Sequence, residues 1–248
     1  MKISIITLAK NCDQKLLKTI KSVNRQKNVN IEHLIIYKNL NKDFDLKKIN
    51  TKKIKFINNK KSGIYPSLNF GIKKSSGKII GMLHSDDIFN SDHILSKIQK
   101  DFIIKKWDLL YGNIQYINKN NRIIRDWISS NYYNFSQIKN GWMPPHTSMF
   151  VQKKIFNNVK YYNENYRIAS DYDFIIRSFK NEKIKKRFFN HYITKMIIGG
   201  ESNKNLFNIY KKMKEDFQIL KKNKISNPII TLIKKNLRKI SQFLNFRK

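Results

Sequence analysis

The chain has 248 residues and a formal net charge of +34, from 51 Lys and Arg against 17 Asp and Glu. Its length suits one large α/β domain or two small ones, and a hydrophobic content of 40% excludes an intrinsically disordered protein. The single cysteine, Cys12, excludes an internal disulfide, and no run of about 18 apolar residues is present to cross a membrane. The start, MKISIITLAKNCDQ, becomes polar too soon for a signal peptide, so we expect a cytoplasmic protein or one peripheral to a membrane.

The excess of positive charge has two explanations. It attracts polyanions, which are nucleic acids, anionic membrane faces and phosphate-bearing substrates. Heavy use of Lys, Asn and Ile along the whole chain instead indicates a compositional bias, because the basic residues form no single binding stripe.

Short apolar runs alternate with amphipathic segments through the first half of the chain. We predict a helix at each amphipathic segment, with Asp13 as the N-cap of the first and Gly77 as the stop signal of the second. The predicted strands cover residues 2–9, 31–38, 53–59, 78–84 and 108–118, and the predicted helices 13–26, 67–76 and 92–105. This alternation predicts an α/β fold with a mainly parallel, doubly wound sheet and helices on both faces.

Beyond residue 118 the alternation weakens. We predict a strand at 121–127, a loop and strand around 141–151, a loop leading into a helix at 167–180, and a Lys-rich helix at 205–223. After Pro228 an amphipathic stretch, 229–246, has five large apolar residues on one face: Ile230, Ile233, Leu237, Ile240 and Leu244. The chain is therefore divided into a domain at 1–204 and a basic helical tail at 205–248.

Two adjacent acids, Asp86 and Asp87, end the apolar run GKIIGMLHSDDIF. In open α/β sheets ligands bind at the carboxyl ends of the strands, where these acids are expected. A hard divalent cation such as Mg²⁺ or Mn²⁺ would relieve the repulsion between the two carboxylates. The alternative is a helix N-cap for DHILSKIQ, and the pair by itself does not separate the two interpretations.

Several motifs occur in an order that resembles the family 2 glycosyltransferases of the GT-A fold, over about residues 1–202. They are SIITLAKN, EHLIIYKN, SGIYPSLNFGIKKSSGKIIGMLHSDD, PHTSMF, SDYDFIIR and IIGGESN. The most specific block, Gly63 to Asp87, is similar to the family pattern GIYDAMNKGI…ATGDIIGFLNSDD. The resemblance implies a single GT-A (Rossmann-like) domain. It also implies transfer of a sugar, with inversion, from a nucleotide-sugar, foremost a UDP-sugar, to a hydroxyl of a glycan or lipid-linked saccharide.

The resemblance also implies roles for residues. Ser85, Asp86 and Asp87 match the diphosphate- and metal-binding motif, with Asp87 as the direct ligand of Mg²⁺ or Mn²⁺. Asp171 in ASDYDF matches the general base that takes the proton of the acceptor hydroxyl. A helix N-cap is the alternative for Asp171, and Asp173 is a second acid that matches the motif less well.

Further residues are implied to contact the two substrates. The donor side includes Thr7, Tyr37, Tyr65 and Asn69, and the acceptor or diphosphate side includes His146, Trp142 and Arg177. Structural alternatives remain open for four of them: packing for Tyr65 and Trp142, a hydrogen bond for His146, and an ion pair for Arg177.

Three positions depart from the family pattern, all on the donor side. Tyr37 stands where the family has an Asp, Lys61 replaces an Asp before GIY, and Pro66 replaces the Asp of GIYDAMN. They leave the donor sugar open and raise the alternative of a catalytically weakened, membrane-associated scaffold. A nucleic-acid-binding protein, suggested by charge alone, is disfavoured by the ordered motifs.

The tail has two interpretations. Its apolar face is surrounded by basic residues, which are Lys234, Lys235, Lys239, Arg238 and Arg247. Such a helix can lie on an anionic membrane, here the inner face of the cytoplasmic membrane, or it can pack against the protein's own core or a second subunit. A homo-oligomer is left open.

Overall fold

The protein is represented by a computed structural model that describes residues 1–248 except 41–43, 45–48, 50–52, 61–62, 119, 132–133, 199–205 and 245–248. The described strands are β1 (Lys2–Cys12), β2 (Asn30–Leu40), β3 (Ile54–Asn58), β4 (Ile79–Met82), β5 (Ile88–Phe89), β6 (Leu109–Ile117), β7 (Ile123–Trp127), β8 (Phe150–Gln152) and β9 (Lys186–Ile197). The described α-helices are α1 (Gln14–Asn24), α2 (Ile64–Lys74), α3 (Ile94–Lys105), α4 (Phe135–Lys139), α5 (Ile155–Val159), α6 (Ser170–Lys180), α7 (Leu206–Lys222) and α8 (Pro228–Leu244). A short 3-10 helix covers His146–Ser148.

The strands form one sheet in the order β3-β2-β1-β4-β8-β6-β9-β5, with β7 paired to β6. The predicted parallel arrangement is found from β3 to β4, where every neighbouring pair is parallel. Beyond β4 the sheet is mixed, because β8 runs antiparallel between β4 and β6.

Helices cover both faces of the sheet, as predicted. Successive residues of β1 alternate between two cores: Ile6 packs with residues of α2 and α6, and Ile5 packs with residues of α3. A third cluster holds Leu16 and Ile20 of α1 against Ala9 and Ile35 of β1 and β2. Alternation of this kind is what a pleated strand buried on two faces requires.

Strand β9, which pairs in parallel with β6, is absent from the sequence prediction. Its sequence, KRFFNHYITKMI, mixes basic and apolar residues without clean alternation. The register with β6 shifts on either side of Asn113, so the period of two is broken where the two strands meet. A Cβ on Gly112 would lie 2.8 Å from the carbonyl oxygen of Phe189, which explains the glycine at this close approach.

The predicted helix signals have different outcomes. Asp13 is the N-cap of α1 and accepts hydrogen bonds from the backbone N–H groups of Lys15 and Leu16, as predicted. Gly77 is not the stop of α2, since the helix ends at Lys74. The Gly77 N–H donates to Ser4 Oγ at 2.8 Å, and a Cβ there would lie 2.5 Å from that oxygen. Gly77 is therefore required by the close approach of the chain to β1.

Helices α7 and α8 fold back on each other and pack against the sheet domain. Lys235 of α8 forms an ion pair with Asp216 of α7 at 2.8 Å, and both side chains are buried. Thr231 Oγ1 donates to the carbonyl oxygen of Lys139 at the end of α4. In the part of the chain that the structure describes, no helix is both long and apolar enough to span a bilayer.

Candidate active site

The acidic turn follows β4 at the carboxyl edge of the parallel strands. Ser85 and Asp86 lie in the turn and are partly exposed, whereas Asp87 is buried. Thr19 of α1 fixes the turn, because its hydroxyl donates to the carbonyl oxygen of Asp87 at 2.8 Å. Helix α3 begins only at Ile94, so the N-cap alternative for the two acids is wrong.

Asp171 lies in the first turn of α6, where two other segments meet it. His146 Nδ1 is 3.2 Å from Asp171 Oδ2, and the Tyr65 hydroxyl is 3.1 Å from Asp171 Oδ1. The side chain of Asp171 is 16% exposed, so one edge reaches solvent. Ala169 is the N-cap of α6, which makes the N-cap alternative for Asp171 wrong as well.

Neighbouring charges keep Asp171 ionised. Burial alone would raise the pKa of the Asp171 carboxyl, but the positive charges of His146, Lys212 and Lys235 hold it below its usual value. Burial and the adjacent Asp171 raise the pKa of Tyr65 well above its usual value, so Tyr65 remains a hydroxyl donor. A carboxylate that stays ionised at neutral pH has the free lone pairs that are needed to accept a proton from a substrate hydroxyl.

His84, the residue before Ser85, is a site residue that the sequence analysis missed. Its Nε2 lies 3.2 Å from His146 Nε2, with the two rings nearly perpendicular. Burial and the charge of His146 lower the pKa of His84 to about 4, so at neutral pH its ring is neutral. The signal was present in the sequence, because HSDD has a histidine where the family pattern NSDD has an asparagine.

The contacts of His84, His146, Asp171 and Tyr65 form one continuous chain. It runs from the acidic turn through the 3-10 helix to the start of α6, and then to α2. Of the predicted residues, His146, Tyr65 and Asp171 are thus brought together beside the turn that contains Ser85, Asp86 and Asp87.

Asp87 has one carboxylate oxygen that lacks a hydrogen bond. Its Oδ1 accepts from the backbone N–H of Ile197 at 3.3 Å, whereas Oδ2 is buried without a partner among the described residues. Burial and the charge of Asp86 raise the pKa of Asp87 well above its usual value. An oxygen-preferring cation would satisfy this atom and relieve the repulsion, so the acid pair fits Mg²⁺ or Mn²⁺. No three His, Cys, Asp or Glu side chains within the described ranges are grouped so as to hold a metal alone.

Two residues assigned to the donor side are buried in the core instead. Thr7 Oγ1 lies 2.9 Å from His33 Nε2 inside the sheet. Asn69 accepts from the N–H of Tyr162 and donates to the carbonyl oxygen of Tyr162 and to Glu164 Oε1. These contacts occupy both polar side chains inside the protein, and a contact of either residue with the nucleotide stays a prediction.

Two residues assigned to the acceptor side also have structural roles. Trp142 is buried in edge contacts with Tyr111 and Phe179, which leaves little ring surface for a sugar. Arg177 pairs with Asp173 Oδ2 at 2.8 Å and donates to the carbonyl oxygens of residues 159–161. Both residues have the structural contacts that the alternatives describe, and Asp173 is the ion-pair partner of Arg177.

The donor-side departures have separate outcomes. The partly exposed Tyr37 makes an edge contact with Phe56 of β3. Pro66 lies in the first turn of α2, where a missing N–H costs no helical hydrogen bond. Lys61 and most of the IIGGESN motif lie outside the described residues.

Solved structures of similar shape define the fold. The chain superposes on S. aureus TarS 1–349 in complex with UDP-GlcNAc with a TM-score of 0.69, covering 99% of this chain and 72% of that one. The complex with UDP gives a TM-score of 0.67 with 99% and 71% coverage. Both are 16% identical in sequence to this chain. The protein therefore has the GT-A fold, with its acidic turn after β4 at the carboxyl edge of the parallel strands.

The family is shown by sequence. The model described as Glycosyl transferase family 2 matches residues 4–165, well over half of the chain. The chain belongs to glycosyltransferase family 2, and the resemblance in its motifs is confirmed.

Two curated relatives are PGL/p-HBAD biosynthesis glycosyltransferases, one from Mycobacterium bovis (strain BCG / Pasteur 1173P2) and one from Mycobacterium tuberculosis (strain ATCC 25177 / H37Ra). Each is 26% identical over 144 residues, which are 57% of this chain and 54% of the relative. The chain thus spans about half the length of the curated relatives it matches.

Proposed function

We propose that the protein transfers a sugar from a nucleoside-diphosphate sugar to an acceptor hydroxyl, with inversion, by a single displacement. The observation that carries the proposal is the contact chain from His84, beside the acidic turn, through His146 to Asp171. Two contacts of 3.2 Å each join His84, beside the expected diphosphate-binding turn, to the expected base. A donor bound at the acidic turn and an acceptor bound at Asp171 would therefore lie next to each other.

Asp171 is proposed as the general base. As the acceptor oxygen attacks the anomeric carbon, its proton passes to a carboxylate oxygen of Asp171, and the bond from that carbon to the diphosphate oxygen breaks. His146 orients the carboxylate through Oδ2, and His84 orients His146 through the other ring nitrogen. Attack from the side opposite the leaving group inverts the anomeric centre.

A divalent cation is proposed at the acidic turn, held by Asp86 and Asp87. The Oδ2 of Asp87, which has no partner among the described residues, and the partly exposed carboxylate of Asp86 supply oxygen ligands, and diphosphate oxygens complete the set. When bound, Mg²⁺ or Mn²⁺ offsets the negative charge that develops on the leaving diphosphate. Ser85, in the same turn, is proposed to contact the diphosphate.

The donor is proposed to be a UDP-sugar, which the complexes of the similarly folded TarS with UDP and UDP-GlcNAc support. The acceptor is proposed to be a glycan or a lipid-linked saccharide, used in the cytoplasm at the inner face of the membrane. The exposed edge of Asp171 supports access for a large acceptor.

The test is a screen of nucleotide-sugars for thermal stabilisation and hydrolysis, with and without Mn²⁺. We expect at least one donor to bind in a metal-dependent way, and Asp87→Asn to abolish that dependence. The raised pKa of Asp87 means that a neutral side chain is tolerated there, so the variant should fold. The matched control is Asp92→Asn, since Asp92 forms a surface pair with Arg25 at 3.5 Å.

Two outcomes would contradict the proposal. If no donor binds with or without metal, the protein is a transferase-fold scaffold without the activity. If Asp87→Asn and Asp92→Asn respond to Mn²⁺ like the wild type, the acidic turn is not the cation site.

A further inference from the structure

Helix α8 turns its apolar side away from the protein. Four large apolar side chains of the helix, here called the apolar stripe, are 50–62% exposed: Ile229, Ile230, Ile233 and Leu237. At 100° per residue they fall within one arc of about 100°. None of the described residues covers this stripe enough to bury it.

The opposite side of α8 is polar and holds the helix in place. Lys235 is buried, with its Nζ 2.8 Å from Asp216 and 3.3 Å from the centre of the Tyr172 ring. Thr231 donates to the carbonyl oxygen of Lys139, and Arg238 Nε donates to that of Asn140. An amphipathic surface helix usually packs its apolar face on the core, whereas α8 packs its polar side on the protein and exposes the apolar stripe. These polar contacts fix which side of α8 faces out.

The exposed charged side chains of α7 and α8 are all basic among the described residues. Helices α7 and α8 contain two acidic residues, Glu215 and Asp216, and both are buried. Glu215 accepts from three backbone N–H groups at residues 167–169, and Asp216 pairs with Lys235. Lys234 is exposed next to the apolar stripe, and further exposed lysines at the tail are Lys214, Lys221, Lys222 and Lys224.

We propose that α8 lies flat on an anionic lipid bilayer, with the apolar stripe at the boundary of the acyl chains. The exposed Lys234, at the edge of the stripe, contacts the negatively charged headgroups. The biological role of this membrane contact, which is to bring a lipid-linked acceptor to Asp171, rests on the proposed function. The lipid-binding surface is inferred from the exposure of the apolar stripe and the positive charge beside it. A soluble acidic partner would account for the positive charge but not for the stripe, which is purely apolar.

The same helix touches the proposed active site from its inner side. Lys235 of α8 lies over the ring of Tyr172, which is the neighbour of Asp171 in the chain. Deleting α8 would leave the buried Asp216 unpaired, so a truncation would disturb folding as well as lipid binding. Substitutions within the exposed stripe avoid this problem.

The experiment measures binding of the full chain to vesicles of phosphatidylglycerol and phosphatidylcholine, and to vesicles of phosphatidylcholine alone. The variant is Ile230→Gln/Ile233→Gln/Leu237→Gln, and the matched control is Ile103→Gln/Ile104→Gln on α3, whose side chains are 55% and 72% exposed. In the wild type, lipid would bury the three half-exposed side chains, so their replacement by Gln should weaken vesicle binding on the order of 100-fold. The control should bind like the wild type. Lys234→Gln should weaken binding to anionic vesicles about fivefold, which corresponds to about 1 kcal/mol for one basic residue at the surface.

The proposal is overturned if the wild type does not bind anionic vesicles, or if the stripe variant and the control bind equally. It is also overturned if the chain dimerises in sedimentation and the stripe variant alone is monomeric without any vesicle binding, because the stripe is then an interface between two copies. The assay uses neither donor nor metal, so its failure is distinct from a failure of metal-dependent donor turnover.

Discussion

Replacing Asp171 by Asn removes the proposed proton acceptor while keeping the shape of the side chain. The amide can still contact His146 and Tyr65, which lie 3.2 Å and 3.1 Å from the two carboxylate oxygens. Loss of a general base lowers rates about 100- to 10,000-fold, which corresponds to about 3–5.5 kcal/mol of transition-state stabilisation. Since the acidic turn is unchanged, donor binding should be retained.

The assay compares Asp171→Asn with Asp173→Asn, a substitution two residues further along the same helix. Transfer rates, metal-dependent donor binding and urea unfolding are measured for both. Asp173 is buried against Arg177, so its substitution should cost about 2 kcal/mol of folding free energy and leave the transfer rate of the folded protein near that of the wild type. Asp171→Asn should show the reverse pattern.

The pH profile provides a second criterion. Because the pKa of Asp171 is held below its usual value, the wild type should keep its base ionised through neutral pH and lose it only in more acidic solution. A transfer rate for Asp171→Asn within tenfold of the wild type would refute the role of Asp171. Loss of donor binding in that variant would show that Asp171 belongs to the donor site instead.

Three further changes have defined outcomes. His84→Asn removes the partner of His146 Nε2, so kcat should fall about tenfold with the KM for donor unchanged, and an unchanged kcat in steady-state kinetics would remove His84 from the site. His33 is buried with its pKa lowered to about 3, so below pH 6.5 the unfolded chain binds a proton that the folded chain does not. Urea unfolding at pH 7.5 and pH 5 should show a loss of about 2 kcal/mol from this residue, absent in His33→Gln, and equal losses in both proteins would contradict it. Gly77→Ala would bring a Cβ within 2.6 Å of the backbone nitrogen of Ser4 and should lower the free energy of unfolding by about 3 kcal/mol. The control Ser76→Ala should lower it by under about 0.5 kcal/mol. Equal urea midpoints for the two variants would show that the loop relaxes around the added methyl group.

Local patterns in the sequence predicted most of the first half of the fold. The strands β1 to β4 contain short apolar runs rich in isoleucine, and the cap at Asp13 is made by backbone groups two and three residues away. Patterns of this kind depend only on residues close together in the chain, so they can be recognised without knowing the fold. Strand β9 was not predicted from the sequence, because its register with its pairing partner, β6, shifts in the middle of the strand.

The candidate site was predicted in part. The motifs indicated the acidic turn, Asp171, His146 and Tyr65, but they also indicated Thr7, Asn69, Trp142 and Arg177, whose polar or ring surfaces are used inside the protein. Which of two polar roles a residue takes depends on partners far along the chain. The contact of Tyr65 with Asp171 spans 106 residues, and that of His84 with His146 spans 62.

The sequence by itself determined the family, the order of the first elements and the apolar face of α8, because these depend on residue identity and short-range spacing. Only the tertiary structure decided that this face points outward, since the burial of Lys235 against Asp216 and Tyr172 fixes the rotation of the helix. Likewise, only folding joins His84, His146 and Asp171, because three segments distant in sequence must pack before their side chains can meet.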